Sequence, residues 1–190
     1  QLQGSLDYDA KFAKSLENRA VVMGYYFTSD RDGRSSGVLP APVMEKESLQ
    51  GRPIKFTGWD GFGSNIEQIA RAAPTAGYFN SITEGDGVVR SIPLIAAYKN
   101  SYYESLAMAM FRMLIGKPTV EPGFPQERFL SRNYQGLESI RLTQADRTMA
   151  VPVDERVAVL VPFRGPGGVA GGSYKYVSAA DVLSGRVAPG

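Results

Sequence analysis

Residues 76–98 read AGYFNSITEGDGVVRSIPLIAAY, and the reading of the fold turns on them. Two apolar, β-branched and aromatic runs, 76–82 and 88–98, flank Thr83-Glu-Gly-Asp-Gly87. Gly accepts left-handed backbone and an Asp side chain bonds the main chain two residues on, so 84–87 is a turn and the whole is expected to be a β-hairpin. Asn100 or Ser101 is then expected to start a helix that runs to about Ile115 and stops at Gly116 and Pro118. Leu106, Ala109, Met110 and Met113 share one stripe of it, whereas Met108, Phe111 and Ile115 lie elsewhere around the axis. With only Glu104 and Arg112 charged, this helix is expected to be shielded on nearly all sides, by the sheet and by either residues 165–172 or a second subunit.

Working outward, residues 9–18 place Phe12, Ala13 and Leu16 on one face and Lys11, Lys14 and Glu17 on the other, an amphipathic helix for Asp7 or Asp9 to cap. The run AVVMGYYF, 20–27, follows as a strand buried on both faces. Helix then apolar strand predicts α/β layering: a single domain over residues 1–190, a mixed β-sheet flanked by helices, with a long irregular loop at 28–55. Ser64 is expected to cap a short helix through Ile66, Ile69 and Ala70. Residues 116–135 read as loop, and 137–142, 148–151 and 157–164 as short strands, the last two joined by a turn at 154–156. A Gly-rich link, 165–172, leads to a short helix at 177–183, capped by Ser178 and ended by Gly185.

Composition narrows the chemistry. At 43% apolar and 21% charged residues the chain has an ordinary globular balance, and its 21 Gly and 12 Pro favour many turns over a helical bundle. A net charge of +2 without a basic cluster argues against nucleic acid as a partner. The chain has no Cys and no His, which removes thiolate chemistry, the commonest zinc ligands and every Ser-His mechanism. No cofactor is implied. No apolar run reaches the roughly 18 residues that span a bilayer, and no signal peptide opens the sequence. The first residue is not Met, so the chain is expected to be trimmed from a longer one.

Several constellations have plainer readings. Asp60, Glu67, Glu84, Asp86 and Asp154 offer carboxylates for a hydrolase, but Asp86 and Asp154 sit at turns, where Asp serves the backbone. Asp30-Arg31-Asp32-Gly33 lacks the remaining ligands of a calcium loop. Gly165-Pro-Gly-Gly168 has no Lys-Ser/Thr pair to make a phosphate loop. Arg90 and Arg164 lie within or at the end of apolar runs, so each is expected to pair with a carboxylate such as Asp86 or to meet an anion in a cavity. Trp59, between Gly58 and Asp60, is core or lines a pocket.

Gly77-Tyr-Phe-Asn80, Glu84-Gly-Asp-Gly-Val-Val-Arg90, Ile92-Pro-Leu94 and Tyr103-Glu-Ser-Leu-Ala-Met-Ala109 occur in an order that resembles the CHASE domain of the second type. The strand Val21–Phe27 after the helix of Asp9–Leu16, with Pro152-Val-Asp154, Phe163-Arg-Gly165 and Tyr176-Val-Ser-Ala-Ala-Asp-Val-Leu183, extends the likeness from Asp9 to Leu183. The resemblance implies a non-catalytic, extracytoplasmic (periplasmic) sensor of a bacterial transmembrane receptor, with an adenylate or diguanylate cyclase, histidine kinase or Ser/Thr kinase as output. It implies a small-molecule or protein signal as partner, a homodimer, and a membrane-anchored parent. Asn80, Asp86, Arg90, Arg164 and Trp59 are the ligand-binding candidates. The family's first strands and helix are expected to be missing before Gln1, and its last strand after Gly190, leaving sheet edges open or completed by another copy. The alternatives are a carboxylate-dependent hydrolase and a dimerisation adaptor without ligand.

Overall fold

The computed structural model describes residues 7–29, 32–125, 134–166 and 172–187. They form a mixed α/β structure in two compact units, Gln1–Leu160 and Val161–Gly190. In the first unit, Asp7 accepts a hydrogen bond from Ala10 N–H (2.9 Å) and opens helix α1, Tyr8–Leu16, which turns Ala13 and Leu16 inward. Phe12, expected beside them, is exposed. Strand β1, Met23–Thr28, alternates: Tyr25 and Phe27 are buried, whereas Tyr26 is exposed and lays its ring where a Gly63 side chain would stand. Burial of this strand on both faces is thus corrected to one face.

Three strands share a sheet with β1. β2 (Ser35–Ser36), β5 (Gly61–Gly63) and β6 (Ala76–Tyr78) join β1 in the order β2-β5-β1-β6, antiparallel to β5 and parallel to β6. A second sheet runs β3-β9-β8-β4, from β3 (Met44–Glu45), β4 (Thr57–Gly58), β8 (Ile95–Tyr98) and β9 (Ser101–Glu104). β7 (Ser91–Pro93) pairs with β13 (Ala158–Leu160). β10 (Thr119–Gly123), β11 (Ser139–Gln144) and β12 (Arg147–Pro152) form an antiparallel meander. The helices are α2 (Glu67–Ala72), α3 (Leu106–Leu114) and a 3-10 turn at Lys46–Leu49, the last lying in the long irregular loop with β2 and β3.

Phe27 is the hub of an aromatic core. Trp59 stacks on it at 5.4 Å and 6°, and Tyr25, Tyr78, Tyr98 and Tyr103 surround it within 5.9 Å. Asn80 grips its backbone from just past the end of β6: Phe27 N–H donates to Asn80 Oδ1 (2.8 Å) and Asn80 Nδ2 donates to Phe27 C=O (2.9 Å). The side chain so prolongs the β1–β6 ladder to Phe27, two residues past its last pair, Tyr25–Tyr78. A second, aliphatic core gathers Met44, Leu94, Ile95, Met108, Val120, Ile140 and Leu142. Val157, at its edge, holds a left-handed backbone (φ 60°) while fully buried. Asp154 pins that turn by accepting from Arg156 N–H and Ala158 N–H, both at 2.8 Å.

Several sequence expectations need correction. The 84–87 turn forms, with Glu84 N–H on Val88 C=O (3.0 Å), Val88 N–H on Asp86 Oδ1 (3.1 Å) and Gly87 at φ 81°. Its arms do not make a hairpin ladder; an isolated Ile82–Ser91 bridge is what joins them among the described residues. The inner arms are largely exposed, Phe79 and Val88 included, while the buried outer parts, β6 and β8, find partners in β1 and β9. Residues 101–104 are strand rather than helix: Tyr98 pairs with Ser101 across a two-residue turn that puts Lys99 at φ 55°, and the β-favouring Tyr102 and Tyr103 follow. Ser105 is the cap of α3, accepting from Met108 N–H (3.4 Å). Ser64 does not cap α2 but donates to Val38 C=O (2.7 Å). β10 lies where loop was expected; its Pro122 is tolerated because the strand is at the meander's edge. The turn at 154–156 forms, but β12 and β13 do not pair with each other.

Helix α3 is amphipathic rather than shielded all round. Met108 and Ala109 are buried, Phe111 is exposed, and Met110 and Leu114 are 51% and 84% exposed. Its buried side meets β6 at close range, since a side chain on Gly77 would stand 2.5 Å from Leu106 Cα.

The second unit holds helix α4, Ala179–Leu183, capped as expected by Ser178, which accepts from Ala180 N–H (3.2 Å), and followed by Gly185 at φ 69°. Asp181 pairs with Arg186 (2.6 Å). Residues 167–171 of the Gly-rich link, and 30–31 of the calcium-like segment, lie outside the described residues.

Removing the Asn80 clamp strands two part-buried groups of Phe27. Asn80→Ala is expected to lower the unfolding free energy by about 1–3 kcal/mol, read as a lower urea midpoint at unchanged slope. An unchanged midpoint would show that the ladder does not need the clamp.

Candidate functional site

The residues singled out in the sequence do not form one site. Arg90 is exposed, and its guanidinium holds Asp86 (2.6 Å) and Glu84 (2.7 Å) in a surface cluster; the hydrogen bond from Arg90 keeps the Asp86 carboxyl below its ordinary range. The expected pairing is present, but on an open turn rather than in a buried strand. Arg164 belongs to the second unit and is exposed beyond the end of β13, its carbonyl accepting from Ser173 Oγ. Trp59 and Asn80 meet at Phe27, one on its ring and one on its backbone. Among the carboxylates, Glu67 pairs with Arg71 one helical turn on (2.5 Å) and Asp154 caps its own turn. No cluster of three acidic residues fit to hold a metal ion occurs among the described residues.

The structure builds a different site, within the first unit, where β9 passes into α3 and α3 into β10. Glu104 ends β9 with its side chain inward, only 6% exposed. Two turns on, Arg112 reaches back from α3 and pairs with it, Nη1 to Oε1 at 2.5 Å. Arg112 Nε donates to Pro118 C=O (3.0 Å), so one guanidinium ties the strand, the helix and the segment entering β10. After Leu114 the chain reverses through Gly116 (φ 90°) and Lys117 (φ 58°), and Gln144 Nε2 donates to the freed Gly116 carbonyl (2.9 Å). That reversal sends Lys117 Nζ to Thr75 Oγ1 at 3.1 Å.

These groups line a cleft of about 500 Å³, within the range of small-ligand sites. Pro42, Val43, Ala109, Met113 and Val120 supply apolar wall, and Glu104, Arg112, Lys117 and Glu121 the charge. An apolar recess of about 300 Å³ adjoins it, sharing Pro40, Ala41, Pro74 and Ala76. A larger groove, about 700 Å³, separates α1 from α2, but its lining holds no buried charge.

Burial raises the Glu104 pKa, against the lowering effect of the Arg112 hydrogen bond and charge. Its second oxygen, Oε2, is buried and has no hydrogen-bond partner, and the same is true of the Tyr25 hydroxyl. Burial, then the nearby Tyr103 and Glu104, push the Tyr25 pKa well upward. Glu104 and Arg112 are the residues that sequence reading missed as a site. The signal was available: they are the only charges in an otherwise apolar stretch, opposite in sign and eight apart.

A buried pair is costly to break from one side, because the remaining charge is uncompensated. Arg112→Met is expected to destabilise the chain by about 3–5 kcal/mol, and adding Glu104→Gln to recover most of that loss. The pH dependence follows from the raised Glu104 pKa. The folded chain holds this proton more tightly than the unfolded chain, whose carboxyl titrates near the ordinary 4.5. The stability contributed by Glu104 is therefore greatest below that value and falls as pH rises through the folded pKa. Unfolding free energies of the parent and Glu104→Gln, compared from about pH 4 to about pH 8, should converge or cross in that sense. A difference that grows with pH in favour of the parent would contradict it.

A family model described as CHASE2 domain matches residues 2–190. CHASE2 is a sensor-domain family of signalling receptors, sensory rather than catalytic, as the motifs of residues 77–109 implied. No curated protein and no solved structure matches the chain.

Proposed function

The chain belongs to the CHASE2 family, and from that premise we propose that it is the extracytoplasmic receiving domain of a bacterial transmembrane receptor, taking a small ligand into the Glu104–Arg112 cleft. The observation that carries this reading is the placement of Arg112, which lines the cleft and holds β9 and the start of β10 at once. A ligand that engages this guanidinium alters its competition between Glu104 and the Pro118 carbonyl. Because α3 is the covalent link between those strands, its shift moves the second sheet against the meander, a discrete change of packing rather than a smooth deformation. In this reading the parent protein is anchored in the membrane and carries the cyclase or kinase output. Asn80 and Trp59 then serve the scaffold, whereas the Arg90 turn and Arg164 are surface contacts for a protein partner.

A second role is favoured by one observation. Met110, Phe111 and Leu114 expose an apolar face on the helix that bears Arg112, and pairing of two receptors through it would join signal reception to dimer geometry.

No helix among the described residues is long and apolar enough to cross a membrane, so the receptor reading requires such segments elsewhere in the parent. The parent gene is expected to encode at least one apolar run of about 18 residues or more. In vesicles, its output activity should respond to a ligand that also raises the melting temperature of this chain without being turned over. A parent protein with no such run, or turnover of the stabilising compound, would overturn the reading.

A further inference from the structure

We propose that the cleft selects a small organic monocarboxylate with a short apolar tail, an inference that rests on the cleft being the sensing site. The spare hydrogen-bonding capacity of its charged groups is greater on the basic side. On the acidic side, Glu104 Oε1 is taken by Arg112, and Oε2 is buried out of reach of the cleft. Glu121 accepts from Thr143 Oγ1 at Oε2 (3.0 Å), which leaves its Oε1 open. On the basic side, a guanidinium carries five N–H donors and an ammonium three. Arg112 directs Nη1 to Glu104 and Nε to Pro118, and Lys117 gives one bond to Thr75. The open donors of Arg112 and Lys117 thus outnumber the one open carboxylate oxygen of Glu121, and an anion answers that excess.

The charge balance limits that anion. Arg112 and Lys117 are offset by Glu104 and Glu121, so the lining is neutral as a set and a dianion would meet two carboxylates with no excess of positive charge. A single carboxylate matches the planar guanidinium edge and needs less compensation. Pro42, Val43, Met113 and Val120 form the wall past these donors, and they suit a few methylene or methyl groups. Glu104 acts here as a positioning residue: it holds the guanidinium from behind and tempers its charge.

The test is isothermal titration of the 190-residue chain with butyrate and isovalerate, against butyramide, butylamine and inorganic phosphate as controls. The carboxylates are expected to bind and the controls to bind at least about tenfold more weakly. Lys117→Ala, a change at an exposed side chain, should weaken carboxylate binding about tenfold, and Glu104→Gln should tighten it several-fold by freeing the guanidinium charge. The Glu104→Gln/Arg112→Met pair leaves no unpaired buried charge and, with its fold checked by circular dichroism, should abolish binding. Equal binding of the amide or amine, a Lys117→Ala and a double variant that bind like the parent, or no carboxylate binding at about 10 mM would each overturn the proposal. In those cases the receptor reading still stands or falls on the vesicle experiment, which does not depend on the ligand's charge.

Discussion

Phe27 is the point at which local and long-range constraints meet. Its ring fills the centre of an aromatic cluster drawn from β1, β6, β8 and β9, and Trp59 closes that cluster by stacking. Each such ring pair adds about 0.5–1.5 kcal/mol beyond burial, so the cluster is a large share of what a marginally stable domain has to spend. The Asn80 clamp matters because the ring can be central only if the strand beneath it is in register. A side chain that donates and accepts like a peptide group fixes that register past the end of β6. The parallel β1–β6 pair then presents Gly77 to α3, whose first turn rests directly on the strand backbone.

From there the position of the charged cleft follows. Once α3 is seated on Gly77, its Arg112 is two turns from Glu104 and on the same side. The helix cannot rotate away without lifting off β6, and the guanidinium cannot leave without stranding a buried carboxylate. Rigid seating at one end and a partly unsatisfied ion pair at the other make α3 a lever with a fixed fulcrum.

How much of this was legible in the sequence depends on the range of the interaction. Asp7, Ser178, the Asp86–Gly87 turn and the Asp154 turn act within a few residues, and their chemistry could be read directly. The pairing of Arg90 with Asp86 was legible for the same reason. Ser101–Glu104 was misread as helix because its polar start suits a helix cap, and only the β8 partner reveals it as strand. β10 was missed because Pro122 weakens the local strand signal, which edge position then excuses. The cleft was out of reach for a compound reason. Its charges come from a strand and a helix whose boundary was misplaced, and its walls from segments some seventy residues apart, 42–43 and 113–120.

The buried, left-handed Val157 weakens the ribbon in which it sits. A β-branched residue with positive φ carries roughly 1–3 kcal/mol of strain, held down here by Asp154 and by burial of the side chain. Strain raises the energy of the closed segment but is released when it opens, so the local opening free energy is reduced by about that amount. The Leu94 amide, bonded to the Val157 carbonyl at 2.9 Å, shares that turn's fate although it lies in the aliphatic core. In deuterated water it would exchange sooner than the Phe79 amide, which is bonded to the Tyr25 carbonyl at 3.0 Å beside the aromatic centre. The β7–β13 ribbon is thereby a seam along which the domain can part without melting its aromatic centre.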